Sequence, residues 1–269
     1  MTGDANPTVT RVDSATDPRL DDYRELRDPR ARRRIEGDNF FICEGPVALE
    51  RLLASGHRLR SVLVLERRLD STLDLLAGND APIFVLESET MQKVTGFDLH
   101  RGVIAAADRQ PASTLERVVN SARRIVVLEG LNDPENLGAI ARSARAFGAD
   151  AMIVDATCID PYTRRSVRVS MGEILHLPWV RVESVVDTCG RLRELGVVTW
   201  ALTPARDADS LSAIDAPARL ALLLGAEGPG LSASALSAVD RRVRIPIAPD
   251  VDSLNVATAA AVALSHLQP

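Results

Sequence analysis

Three stretches of the 269-residue chain combine side chains able to do chemistry with the backbone freedom to present them. The first runs from Asn132 to Gly148, directly after the apolar run Ile125–Glu129. Asp133 can cap a helix there, and Pro134 suits its first position. Leu137, Ile140, Ala144 and Phe147 fall on one apolar stripe. Asn136 then sits in the first turn, above the end of the preceding strand, the edge at which open α/β sheets bind ligands. Arg142 and Arg145 lie off the stripe, and from spacing alone they read equally as a solvated pair. The second stretch is Gly225–Leu231, whose three glycines follow an apolar run and allow a ligand to approach the backbone closely. It lacks the Gly-Lys-Ser/Thr ending of a phosphate loop and the GxGxxG spacing of a dinucleotide site. Glu227 inside it is unusual for a plain turn and suggests a site carboxylate. The third is Ile245–Thr258, in which Ser253 is a plausible cap of the final helix and Asn255 faces the helix amide ends. A further segment, Asp160–Gly172, groups Arg164, Arg165 and Arg168 with the hydroxyls of Thr163 and Ser170. It suits a phosphate-binding lip or a solvated face.

Other chemistries find no such grouping. His57, His100, His176 and His266 stand in unrelated contexts and read as structural or surface residues. Cys43, Cys158 and Cys189 are scattered, without CxxC or CxxH spacing, so reduced, buried thiols and no metal site are expected.

The elements that must position these residues alternate. In the first part, strands are expected at Phe40–Cys43, Ser61–Leu65, Pro82–Leu86 and Gly102–Ala107, with helices at Pro46–Ala54, Leu69–Ala77 and Glu89–Val94. This pattern indicates a small α/β domain. Residues 1–18 lack periodicity and read as a flexible tail, so the first domain is expected over 19–108. A polar stretch follows, read as a linker over 109–122. The second α/β domain is expected over 123–269. Its strands are Ile125–Glu129, Ala151–Asp155, Val197–Leu202 and Leu220–Gly225, uninterrupted apolar runs that suit a parallel sheet buried on both faces. Its helices are Glu135–Phe147, Ser184–Leu195, Ala233–Ser237 and Ser253–Leu267.

Composition narrows the function classes. Hydrophobic residues make up 46% and charged residues 26%, which excludes disordered, collagen-like and disulfide-rich chains. No apolar run reaches the roughly 18 residues of a membrane span, and the N-terminus has no signal pattern, so a cytoplasmic protein without membrane contact is expected. The net charge of −5 counts against non-specific coating of nucleic acid. Lys93 is the only lysine, so nearly every positive charge is an arginine, the better fork for phosphate, although a GC-rich genome produces the same bias.

Taken together, the three stretches resemble the SpoU (TrmH-like) branch of the SPOUT RNA methyltransferases, in that family's order. Asn136, Gly138, Arg142, Phe147 and Gly148 match its first motif. Gly225, Glu227 and Gly230 match its second, and Ile245, Pro246, Ser253, Leu254, Asn255 and Val256 its third. Residues near 20–108, with Glu44-Gly45-Pro46 as the best local match, are similar to the L30e/L7Ae-like substrate-binding domain that often precedes it. The chain departs from the pattern at Ile247, where methionine is frequent, at Ala257-Thr258, where a serine is frequent, and at Leu99-His-Arg-Gly102, where relatives carry Thr-Pro-Gln-Gly.

The resemblance implies a knotted C-terminal α/β domain (a deep trefoil knot) with a parallel sheet, and a homodimer whose active sites are completed across the interface. It implies methyl transfer from S-adenosylmethionine to a ribose 2′-OH, with ribosomal RNA favoured over transfer RNA. Catalytic roles fall on Arg142, Asn136, Glu227, Ser253 and Asn255. Cofactor binding falls on Leu202, Gly225, Glu227, Gly230, Ile245, Ile247, Leu254 and Asn255. Arg142 is better suited to holding phosphate and developing alkoxide charge than to acting as a base, since a guanidinium keeps its proton. RNA contacts are expected from Arg32, Arg33 and Arg34, in the cluster that begins at Arg30, and from Arg145, Arg164, Arg165 and Arg168, a basic strip offsetting the acidic balance locally. Intact Asn136, Arg142, Glu227 and Asn255 speak against a non-catalytic RNA-binding or ribosome-assembly protein. The missing GxGxxG speaks against a nucleotide enzyme.

Overall fold

The computed structural model describes residues 7–268, apart from the side chains of Pro29 and Arg30. The chain divides into two compact units. One holds the residues up to Pro111 together with Tyr162–Leu175; the other holds Ala112–Pro161 and the chain from His176 onward.

In the first unit, strands β1 (Val9–Arg11), β2 (Phe40–Glu44), β3 (Leu59–Leu65), β4 (Ile83–Leu86) and β5 (Val103–Asp108) form one sheet in the order β1-β4-β3-β5-β2. β1 and β3 run parallel to β4, and β5 is antiparallel to both β3 and β2. Helices α1 (Pro29–Glu36), α2 (Pro46–Ala54), α3 (Leu69–Leu75) and α4 (Ser88–Thr95) link them. Tyr23 is fully buried against this sheet, and its hydroxyl accepts from the Ala106 amide and meets Ser61. Such pairing is what allows a polar group into a core built from Leu20, Phe40, Ile42, Leu63 and Met91.

Two domain expectations are corrected. The expected tail is ordered from Val9, because β1 adds a parallel edge strand to β4, and Leu20 behind it is buried. Residues 1–6 lie outside the described residues. The second correction concerns Tyr162–Leu175, which packs with the first unit rather than with the sequence around it. Tyr162 stacks on Phe41 at 4.8 Å, and its hydroxyl lies 3.3 Å from His57 Nε2. Arg51 pairs with Glu173 at 2.7 Å and donates to the Met171 carbonyl. These anchors lie more than a hundred residues apart in sequence, so no local pattern announces them.

The second unit is built on seven strands: β6 (Arg124–Glu129), β7 (Ala151–Asp155), β8 (Trp179–Val182), β9 (Val198–Leu202), β10 (Asp209–Ser210), β11 (Leu220–Gly225) and β12 (Arg241–Arg244). They form an all-parallel sheet in the order β10-β12-β9-β11-β6-β7-β8. The central strand β11 places Leu222 beside Val126 of β6 and Trp200 of β9. The helices that follow in the chain are α5 (Leu115–Val119), α6 (Pro134–Ala146), α7 (Arg164–Val169, within the first unit), α8 (Val185–Glu194), α9 (Ala233–Ala238) and α10 (Val256–His266). The expected linker contains α5, capped by Thr114, and its Val118 and Val119 join this unit's core. Because every strand of the sheet runs the same way, the loops after β6, β9, β11 and β12 all leave from one edge. No helix among the described residues is long and apolar enough to cross a membrane.

Candidate functional site

Four of those loops build the site. After β6 the chain turns through Gly130 to Asp133, which caps α6. One Asp133 oxygen accepts the Glu135 amide at 2.9 Å, and the other accepts Asn136 Nδ2 at 3.0 Å. Asn136, 7% exposed, is thereby fixed in the first turn. After β11 the chain folds back on itself. Gly228 and Gly230 take positive φ values of 85° and 71°, and the Gly230 amide donates to the Ala226 carbonyl at 3.0 Å. A Cβ on Gly225 would lie 2.1 Å from the Gly230 carbonyl carbon, so only glycine fits there. The far end of this loop is held by Glu129, whose carboxylate accepts both the amide and the hydroxyl of Ser232 at 2.8 Å.

The third loop, after β12, ends at the cap of α10. That cap is Asn255, not Ser253, which lies two residues earlier and is exposed. Asn255 Oδ1 accepts the amides of Ala257 and Thr258 at 2.9 and 3.2 Å. Its Nδ2 donates to Asn136 Oδ1 at 3.0 Å and to Glu227 Oε1. Asp133, Asn136, Asn255 and Glu227 thus form one hydrogen-bonded chain joining the three motifs.

Beside this chain lies a cavity of about 380 Å³, within the range of small-ligand sites. Leu202, Gly225, Glu227, Gly230, Ile245, Ile247, Ser253, Leu254 and Asn255 all line it. So do Thr203, Pro204 and Ala259, which sequence reasoning missed. Among the described residues, Glu227 is the one ionisable residue lining it, and none of the lining residues is cationic. Apolar walls from Leu202, Ile245, Ile247 and Leu254 suit a flat ring, and exposed loop backbone suits its polar edges. A sulfonium cation meets a carboxylate there, whereas a phosphorylated nucleotide would meet the same carboxylate and no balancing charge. The residues therefore fit S-adenosylmethionine.

Arg142 is not brought to this cavity. It lies six residues beyond Asn136 on α6, about 9 Å further along and about a third of a turn round the helix. It is exposed, with no partner among the described residues.

Residues 123–265 match the SpoU rRNA Methylase family. The chain belongs to that family. It is 45% identical to an uncharacterized tRNA/rRNA methyltransferase of Mycobacterium tuberculosis, over 95% of this chain and 90% of the relative. It is 29% identical to the Bacillus subtilis 23S rRNA (guanosine(2553)-2′-O)-methyltransferase RlmP, over 97% of this chain and 100% of the relative. Among solved structures, the AdoMet-bound rRNA methyltransferase from Sinorhizobium meliloti superposes with a TM-score of 0.81 at 25% identity, covering 96% of this chain and 97% of that one.

In this SpoU-family chain the arginines expected to meet RNA divide into two groups. Arg33, Arg34, Arg145 and Arg165 are exposed, and Arg168 is half-buried. Arg32 and Arg164 are engaged internally. Arg32 is 6% exposed, pairs with Glu36 at 2.7 Å and donates to the Asp22 and Arg24 carbonyls. Arg164 pairs with Glu44 and lies over the Phe97 ring at 4.5 Å. These bonds hold both guanidiniums largely inside the first unit rather than out in solvent, where a phosphate would meet them. The Arg30 side chain lies outside the described residues.

Sequence reasoning also missed the support under the first loop. Asp155, at the end of β7, accepts the amides of Thr157 and Cys158 and the Thr157 hydroxyl. Burial raises its pKa, but hydrogen bonds from Cys158, Thr157 and the Gly130 amide outweigh this and hold it below the usual carboxylate range. Cys158 Sγ accepts the Leu131 amide and donates to the Leu128 carbonyl. Burial and the neighbouring carboxylate push this thiol up to about 12, so it stays protonated as that donation requires. A carboxylate and a cysteine three residues apart at a strand exit are the signal that could have exposed this pair.

Proposed function

We propose that the chain is an S-adenosylmethionine-dependent RNA methyltransferase that modifies a ribose 2′-OH, with ribosomal RNA favoured over transfer RNA. The observation that carries this reading is the cation-free, carboxylate-bearing cavity beside the Asp133–Asn136–Asn255–Glu227 chain. Membership of the SpoU family and full-length similarity to a 23S rRNA 2′-O-methyltransferase support it. When bound, S-adenosylmethionine supplies an electrophilic methyl group on a sulfonium. Leu202, Ile245, Ile247 and Leu254 enclose its apolar parts and exclude water, and the backbone of the Gly225–Gly230 loop approaches it closely. Asn136, Asn255 and Ser253 orient the ribose and the cofactor. Arg142 binds the neighbouring phosphate and stabilises alkoxide charge as it develops.

The second unit is read as a knotted SPOUT domain. In support, the chain runs from β12, beside β9, back to α10, which packs on α6, so that Gly225–Leu231 and Ile245–Asn255 face one cavity. The first unit is read as an L30e/L7Ae-like RNA-binding domain in which Arg33, Arg34, Arg165 and Arg168 meet phosphates, and Arg145 of the second unit is read as a phosphate contact as well. The protein acts in the cytoplasm as a homodimer. The outward position of Arg142 supports this, because a second copy can deliver the arginine that one chain keeps away from its own cavity.

The test is transfer of a labelled methyl group to RNA from a strain lacking this gene, separated into ribosomal and transfer pools. Label in the ribosomal pool that survives alkali as a dinucleotide is expected. Label on a base, or in neither pool, would overturn the reading.

A further inference from the structure

We propose that the Glu227 carboxylate accepts the proton of the ribose hydroxyl, oriented for that task by a chain of amides that begins at Asp133. The inference rests on the methyl-transfer reading above. A hydroxyl must lose its proton as it attacks, and a positioned base within the site is needed to take it. Glu227 is the one ionisable group lining the cavity. Two further carboxylates, at the end of β6 and in the loop after it, are committed elsewhere: Glu129 to Ser232, and Asp133 to the Glu135 amide and Asn136.

The direction of the amide chain is fixed at both ends by helix caps. Asp133, as an acceptor, must face Asn136 Nδ2, which turns Asn136 Oδ1 toward Asn255. Asn255 Oδ1 is held by the Ala257 and Thr258 amides, which turns its Nδ2 outward. With both amides locked, the two Nδ2 hydrogens of Asn255 go to Asn136 Oδ1 and Glu227 Oε1. Glu227 is therefore held through Oε1 as an acceptor, while Oε2 has no partner among the described residues. It can take a proton on Oε2 without disturbing the bond that holds it. The step balances: the hydroxyl proton passes to Glu227 Oε2, the oxygen–methyl bond forms, and the carbon–sulfur bond breaks with its electron pair left on sulfur. Asp133 is a positioning residue in this scheme, acting through Asn136 and Asn255.

Two readouts test it, one of them independent of turnover. In the isotope-labelled protein, the Asn255 side-chain amide signal is expected to move with a single midpoint as pH falls. That movement should vanish in Glu227→Gln, which keeps the shape of Oε1 but cannot gain a proton. In single-turnover transfer to RNA at saturating cofactor, Glu227→Gln should be slowed at least about 100-fold and lose the acid limb of the pH profile. Glu227→Asp, which keeps a proton acceptor, should recover part of the rate. Transfer by Glu227→Gln at saturating cofactor within about tenfold of wild type, or an unchanged acid limb, would overturn the inference. Wild type failing to methylate ribose would instead overturn the underlying reading, and this inference with it.

Discussion

Asn255 uses its oxygen and its nitrogen for separate purposes: Oδ1 caps α10, and Nδ2 joins Asn136 to Glu227. The two can be separated by substitution. Asn255→Ala removes both, and loss of such a cap costs about 1 kcal/mol. Asn255→Asp keeps an oxygen for the Ala257 and Thr258 amides but has no hydrogen to donate. It also sets a second carboxylate against Glu227. The expected outcome is a denaturation midpoint lowered in the alanine variant and close to wild type in the aspartate variant, with methyl transfer reduced at least about tenfold in both. An aspartate variant as active as wild type would mean that the amide chain does not organise the site.

At the level of elements, the loop after β6 is held from beneath by the loop after β7, through Asp155 and Cys158. Because the Asp155 pKa is depressed in the folded protein, the stability it contributes is present above the ordinary aspartate value of about 3.9 and is lost as pH falls through the folded value. Asp155→Asn should therefore be less stable than wild type at neutral pH, and the gap should narrow below about pH 4. Urea denaturation across that range measures the gap directly, and the difference between the two proteins cancels the depressed carboxylates they share, such as Asp240. A gap independent of pH would remove Asp155 as its source. This support was illegible in the sequence because its partners converge from different strand ends. The buried strands were legible, since β6, β7 and β11 are built around unbroken apolar runs. So was the start of α6, where Asp133 and Pro134 announce it. β12 was not, because an Arg-Arg-Val-Arg segment with a single buried residue carries no strand signature. The cap of α10 was displaced from Ser253 to Asn255 because both residue types cap well and only the surrounding loop decides between them. The cavity lining was legible through motif residues whose types suit it. The pairing of Arg32 with Glu36 and of Arg164 with Glu44 was illegible, because an arginine that faces a carboxylate in the fold looks in sequence like one that faces water.

At the level of the whole molecule, the proposed catalytic residues do not meet within one chain. Asn136, Glu227, Ser253 and Asn255 gather at or beside the cavity, whereas Arg142 lies on the exposed side of α6. If the arginine crosses from a second copy, as the homodimer reading requires, the two halves of the site can be damaged in different chains. Arg142→Ala and Glu227→Gln should each be nearly inactive alone. Mixed under conditions that exchange subunits, half of the dimers would pair one variant with the other. Each such dimer would hold one site with Glu227 from the first chain and Arg142 from the second, and one site lacking both. Activity should then recover to roughly a quarter of wild type, as a two-fold symmetric assembly requires. Recovery should follow the kinetics of subunit exchange and should be absent when the mixture is assayed before exchange. If the two variants stay inactive after exchange has been verified by mass spectrometry, Arg142 serves the cavity of its own chain, and α6 would have to turn to bring it there.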